Sequence, residues 1–224
     1  MSINEITNFL NIKNFNFAEG GVFHEEGQVD IFFNILKNIN TEEPKMFELG
    51  SYESFYSVVF NKFFQNKNVT NVCLEICKPC LDIGVQNSTN NECKNMSFEY
   101  ASVGETNLGI YNGTTQFKDL EISDKKLTVK YLFDFYKIDV LDVLHVDVQG
   151  SEGSVLEEIQ KEKLKINYFF INIHDDSITN NFYGYSVYEK CKQILDTFDV
   201  DYIYDNRIYG GYGDGLIVAK TKKI

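Results

Sequence analysis

Lys45-Met46-Phe47-Glu48-Leu49-Gly50-Ser51-Tyr52-Glu53-Ser54 is a short apolar run that ends in an acid and a glycine, and the stretch from Ser54 to Phe64 then spaces apolar residues as a helix does. The order is strand, tight turn, helix. Asn71-Val72-Cys73-Leu74-Glu75 repeats the idea: a second short run ends in an acid about 27 residues after Glu48, the length of one strand-helix-strand crossover. A further helical stretch runs from Leu81 to about Asn87.

The alternation continues outward. Ser97 to Ala101 with Gly104 gives a third strand and turn, and Ile110 to Phe117 a short hairpin or excursion. Leu127 to Tyr136 is amphipathic and leads into the buried run Val143 to Gly150, whose carboxyl end is polar. Glu152 to Ile159 is a helix, Tyr168 to Ile173 a strand and Val187 to Phe198 a helix. Tyr202 to Tyr204 and Leu216 to Ala219 have no helix between them, only the glycine-rich Tyr209 to Gly215, so they pair as a hairpin. On the amino side, Ile3 to Leu10 and Val29 to Ile39 are amphipathic helices. The expected architecture is α/β: a mainly parallel sheet with helices on both faces and a C-terminal antiparallel hairpin, a Rossmann-like arrangement. Residues 1–44 form a helical lead-in and 45–224 one domain.

Composition narrows the function. With 224 residues the chain can bury a substantial core without staples. Its net charge of -12 repels a phosphate backbone, which argues against a nucleic-acid partner. No apolar run approaches the roughly 20 residues of a membrane helix. The opening Met1-Ser2-Ile3-Asn4-Glu5 has no secretory pattern, so the expected compartment is the cytoplasm. Five cysteines, an odd number, suit reduced thiols. Cys77-Lys78-Pro79-Cys80 has the spacing of a metal or redox pair, but no second ligand pair follows, and it reads as incidental thiols at a helix start. The many asparagines are scattered, which reads as compositional bias rather than chemistry.

Ligands of an open parallel sheet bind outside the carboxyl ends of the strands. The polar residues there are Glu48, Glu75, Asp147 and His174. A glycine such as Gly50 lets the backbone approach a ligand, and an acid such as Glu75 can accept both hydroxyls of a ribose. The first turn carries bulky Tyr52 and anionic Glu53 where a dinucleotide fold needs glycines, so a diphosphate and nicotinamide or flavin chemistry are disfavoured. Glu48 has a second reading as a cap of the helix that follows. Glu152 has one as a partner within its own helix. His145, two residues before Asp147, reads as a satisfied core histidine. His174 is the better base, because an ordinary histidine pKa suits proton abstraction at neutral pH. Tyr209 and Tyr212 are open between strand-end residues and a stacking surface for an acceptor.

Taken together, Phe47 to Ser57, the Glu75 strand, Leu144-His145-Val146-Asp147-Val148-Gln149-Gly150-Ser151-Glu152 and the closing Asp214 to Ala219 resemble the FkbM-type methyltransferases, over roughly Met46 to Ala219. The most specific element is H-x-D-x-Q-G-x-E. The resemblance implies a Rossmann-like methyltransferase fold and S-adenosylmethionine as cofactor. It implies that Glu48, Gly50 and Ser51 hold the methionine portion, Glu75 the ribose hydroxyls, and Ser102 and Val103 the adenine, with Asp147 beside the transferable methyl. It points to O-methylation of a sugar, glycan or other small-molecule hydroxyl. From their strand-end positions, Asp147 and His174 are the expected catalytic pair, orienting and deprotonating that hydroxyl. Mg²⁺ held by Asp147, Asp175 and Asp176 is the less favoured variant of this chemistry. The rival of another class is a non-catalytic Rossmann-like binding module.

Overall fold

A computed structural model describes residues 1–16, 26–104, 121–175, 180, 183–209 and 214–222. The hairpin expected within 110–117, Asp176, and Tyr212 with its glycine-rich turn lie outside the described residues.

Seven strands form one sheet: β1 (Lys45–Leu49), β2 (Thr70–Glu75), β3 (Met96–Tyr100), β4 (Leu141–Val146), β5 (Ile166–His174), β6 (Val200–Tyr209) and β7 (Asp214–Thr221). Their spatial order is β3-β2-β1-β4-β5-β7-β6. The pairs from β3 to β5 are parallel, while β7 runs antiparallel to both β5 and β6. One strand is therefore reversed, and it lies inside the sheet rather than at its edge. The register places Glu48 opposite His145, so the carboxyl ends of β1 and β4 are level.

Among the described residues, the helices of defined extent are α1 (Ile3–Phe9), α2 (Glu26–Leu36), α3 (Phe55–Phe63), α4 (Lys78–Asn90), α5 (Val129–Phe135), α6 (Glu152–Glu162) and α7 (Val187–Leu195). Side chains alternate across a strand, so the inner strands β1, β4, β5 and β7 feed two cores. Phe47, Leu49, Leu144 and Phe169 pack with α5, α6 and α7. Met46, Val143, Phe170 and Val218 pack with α1, α2 and α3 on the opposite face. The two lead-in helices thus cover one face of the sheet.

Element boundaries differ from the expected ones for local reasons. Helix α4 starts at Lys78, three residues before Leu81, because Pro79 sits in its first turn, where a missing N–H is harmless. The fourth strand starts at Leu141 and ends at Val146, which leaves Asp147 on the first residue past the sheet. The run expected to be helical to Phe198 becomes a 3-10 turn at Asp196–Phe198 and stops at Asp199, whose φ of 51° is left-handed.

Three asparagines near the end of α4 have a structural role that their scattered distribution does not announce. On α4, Asn87 accepts from Asn16 N (2.7 Å) and donates to Asn16 O (3.0 Å). Asn91 accepts from Lys13 N at 2.7 Å, and Asn90 donates to Asn14 O at 3.1 Å. An amide side chain offers both a donor and an acceptor, so three of them serve as partners for the irregular backbone of residues 13–16, in which Asn14 is left-handed (φ 47°).

Candidate active site

The turn after β1 starts at Gly50, with φ +77°, where an added Cβ would lie 1.8 Å from the Asp147 carbonyl oxygen. Only glycine allows that approach. The N–H groups of Gly50 and Ser51 both donate to Leu74 O at 2.9 Å, and Asp147 N donates to Leu49 O at 2.8 Å. The end of β1 is thereby stitched to β2 on one side and to the β4 turn on the other. Tyr52 (φ 45°) and Ser54 (φ 61°) are left-handed without being glycine. Such backbone persists only where its surroundings over-determine it. Here Tyr52 N donates to Glu75 Oε2 (2.7 Å), Asn87 Nδ2 donates to Glu53 O (3.1 Å), and Gly84 lies against Ser54.

Glu75 ends β2 with both carboxylate oxygens engaged: Oε2 by Tyr52 N and Oε1 by Cys77 N at 2.8 Å. Burial pushes its pKa up to about 7, assisted by the charge of Asp147 and opposed by the N–H groups of Cys77, Tyr52 and Ile76. Glu48 is buried on β1, and its Oε2 accepts from Ser57 N at 3.0 Å in the first turn of α3. Ser54, the N-cap of that helix, makes no side-chain cap bond, so Glu48 does the capping. Ser51 is buried, and its hydroxyl has no hydrogen-bond partner among the described residues. Ser102 follows β3 and is held by Lys125 O, which accepts from its N–H at 2.9 Å. The side chain of Val103 packs in the core with α5 and α6, so the adenine contact expected there would have to come from its backbone.

On the other side of the Gly50 turn, Asp147 and His174 come together. His174 Nε2 lies 3.5 Å from Asp147 Oδ1, and Nδ1 lies 2.8 Å from Glu152 Oε1. A carboxylate only accepts, so the neutral ring carries its proton on Nδ1 and leaves a lone pair on Nε2. The Gln149 side-chain amide donates to that lone pair at 2.7 Å, which also fixes which way the amide points. Glu152 Oε1 accepts from Gly150 N (3.1 Å) and Val148 N (3.3 Å) as well. Asn172 Nδ2 donates to Asp147 Oδ2 at 3.0 Å. The side chains of Asp147 and His174 are 24% and 12% exposed, whereas that of Glu152 is wholly buried. The geometry is a base (His174), a buried group that sets its tautomer (Glu152), and an open carboxylate beside it (Asp147).

Sequence reading brought forward Asp147 and His174, left Glu152 open and missed Asn172 and Gln149. Asn172 carried a usable signal: it is a polar residue inside an apolar strand, two positions before His174 and hence on the same face. His145 lies in the core as expected but is not satisfied. Both ring nitrogens lack partners among the described residues, and the ring stacks on Phe170 (5.2 Å between centroids) and Tyr56 (4.3 Å). Burial lowers its pKa to about 4. Asp175 is turned away from Asp147: Arg207 Nε donates to its Oδ2 (3.1 Å) and Ser186 Oγ to its Oδ1 (2.8 Å). No three His, Cys, Asp or Glu side chains among the described residues are arranged to hold a metal ion. A cavity of about 440 Å³ lined by Asn38, Thr41, Lys45, Asp142, Asn167 and Lys220 lies at the amino ends of β1, β4 and β5, opposite this site.

No family model matches the chain, and no curated sequence matches it. Solved structures do match. The O-methyltransferase from Bacillus cereus in complex with SAH superposes with a TM-score of 0.55 at 11% identity, over 98% of this chain and 90% of that one. The precorrin-6y C5,15-methyltransferase from Geobacter metallireducens gives 0.54 at 10% identity, over 93% and 94%. The fibrillarin pre-rRNA processing protein of Methanococcus jannaschii gives 0.51 at 12% identity, over 82% and 69%. At such identities the likeness establishes the fold: this chain has the Rossmann-like methyltransferase fold. No helix among the described residues is long and apolar enough to cross a membrane.

Proposed function

We propose that the chain is an S-adenosylmethionine-dependent methyltransferase of the FkbM type that methylates a hydroxyl group of a sugar, glycan or other small molecule. The observation that carries this is the placement, on either side of the Gly50 turn, of a braced Glu75 and of the Asp147, His174 and Glu152 cluster. The structural neighbours named as methyltransferases support it, one of them an O-methyltransferase with SAH bound.

The residues present fit that cofactor. Glu75 Oε2 accepts from Tyr52 N and Oε1 from Cys77 N, and a carboxylate has further lone-pair sites, which suits the hydroxyls of a ribose. The unpartnered Ser51 hydroxyl and the Cβ-free surface of Gly50 lie in the turn where the methionine portion would be held, beside Glu48. Ser102 and Val103 would bound the adenine. Acids at the strand ends favour a cationic ligand and oppose a diphosphate. When bound, S-adenosylmethionine supplies an electrophilic methyl group.

The chain's own residues then have two tasks. Asp147 orients the acceptor, and His174 Nε2 takes the hydroxyl proton, with the acceptor displacing the Gln149 amide from that lone pair. Glu152 keeps the Nδ1 proton in place, and Asp147 Oδ1, at 3.5 Å, offsets the charge of the imidazolium. The net charge of -12 favours an acceptor other than nucleic acid.

Calorimetric titration with S-adenosylhomocysteine tests the assignment before any acceptor is known. Saturable one-to-one binding is expected. A folded protein that takes up none at millimolar concentration would reject it.

A further inference from the structure

Cys77-Lys78-Pro79-Cys80 takes no part in the chemistry above, yet it adjoins the Glu75 carboxylate. Cys77 is the N-cap of the 13-residue α4, and Cys80 lies in its first turn. The two sulfurs are 2.9 Å apart and both residues are buried, at 1% and 4% exposure. Neither is in a disulfide. A bond between them of about 2.05 Å needs only a small approach of the sulfurs. The N–H of Cys77 itself donates to Glu75 Oε1, as that of Tyr52 does to Oε2. The Tyr52 phenol is pushed up to about 12 by its burial and by the charges of Cys80, Glu53, Cys77 and Glu75 around it.

We propose that Cys77 and Cys80 form a reversible disulfide site, oxidised by hydrogen peroxide, whose closure loosens the hold on the Glu75 carboxylate. The effect on ligand binding rests on the cofactor assignment above; formation of the disulfide does not. The burial of the pair favours a small oxidant over the disulfide of another protein. Cys77 is the attacking sulfur, since it sits at the positive end of α4 and the adjacent Cys80 thiol holds it below the ordinary thiol range. Its sulfur bonds to one peroxide oxygen, the O–O bond breaks, and the departing oxygen takes the thiol proton and leaves as water. The Cys80 sulfur then attacks the Cys77 sulfur. The S–S bond forms, the S–O bond breaks, and the second oxygen leaves as water with the Cys80 proton. The pair gives up two electrons and the peroxide takes them; an external dithiol reverses the reaction. The remaining cysteines are poorer targets. Burial raises the thiols of Cys73 and Cys191, and it raises that of Cys93 to about 11.

The test treats the purified protein with stoichiometric hydrogen peroxide, blocks free thiols and maps the peptides by mass. A loss of 2 Da, from the two departing hydrogens, is expected between Cys77 and Cys80 and is restored by dithiothreitol, while Cys73, Cys93 and Cys191 remain alkylatable. In the oxidised form the amides of Tyr52 and Cys77 should exchange with solvent at least tenfold faster, and S-adenosylhomocysteine should bind at least tenfold more weakly. Cys80→Ser should stop at a sulfenic acid on Cys77 that a 1,3-dione traps. Modification of Cys93 ahead of the pair, sulfinic acid without a bridge, or unchanged exchange at both amides would overturn the proposal. If the reduced protein binds no S-adenosylhomocysteine while the mass and exchange results hold, the methyltransferase assignment fails and the disulfide site stands.

Discussion

Glu75 accepts two backbone N–H groups in surroundings that favour its neutral form, with a pKa near 7. Only the carboxylate can accept from both hydroxyls of a ribose, so affinity for S-adenosylhomocysteine should rise about tenfold from pH 6 to pH 8. Glu75→Gln should flatten that profile, and a slope that survives the substitution would place the titrating group elsewhere. Glu75→Ala should weaken binding at least tenfold, because loss of a charge-assisted contact costs roughly 1.5–3 kcal/mol. At the opposite side of the turn, Asp147→Asn should leave binding within a few-fold and slow methyl transfer by about a hundredfold or more. Turnover at the parent rate on the true acceptor would move the chemistry away from β4. Asp147 and His174 were legible in the sequence because each closes an apolar run. The contact of Gln149 with His174 was not, because an amide beside a strand end looks the same whether it meets solvent or a catalytic ring; Asn172 was betrayed only by its polarity inside an apolar strand.

At the scale of elements, the turn between β1 and α3 sets the geometry of the site. Gly50→Ala would drive a Cβ to 1.8 Å from the Asp147 carbonyl oxygen at a φ of +77°. Destabilisation by roughly 3 kcal/mol or more is expected, read as a lowered midpoint in urea. A parent-like midpoint would show that the β1 and β4 turns do not meet as described. The strands β1, β2, β4, β5 and β7 were legible as short apolar runs bounded by polar or glycine residues, whereas β3 and the ten-residue β6 mix polar and apolar residues and were legible only in part. Strand ends were less so: Val143 opens the visible apolar run, but β4 starts two residues earlier because Leu141 pairs with Ile166. The clamp of Asn87, Asn90 and Asn91 on residues 13–16 was invisible, because it joins residues more than 70 positions apart that share no periodicity.

Across the whole molecule, two buried groups tilt stability in opposite directions with pH. His145 is lowered to about 4 when folded, against an unfolded value near 6.5. Below about 6.5 the unfolded chain therefore binds the extra proton, and stability is lost as pH falls towards 4, by on the order of 3 kcal/mol. Glu75 is raised, so its contribution is present below about 4.5 and is lost as pH rises towards 7. The two overlap, and only a variant separates them. His145→Phe keeps the ring stack on Phe170 and Tyr56, and its loss of stability between pH 6.5 and 4 should be smaller than the parent's in denaturant titrations. An identical loss would acquit the histidine. The reversed strand has a consequence in time rather than in space. Since β7 lies between β5 and β6 but follows both along the chain, a ribosome delivers β6 before the strand it pairs with exists. The β5 edge and the whole of β6 must wait, unpaired and open to wrong partners, until the later strand emerges and slips between them. Folding of this sheet can be completed only after its last strand has left the exit tunnel.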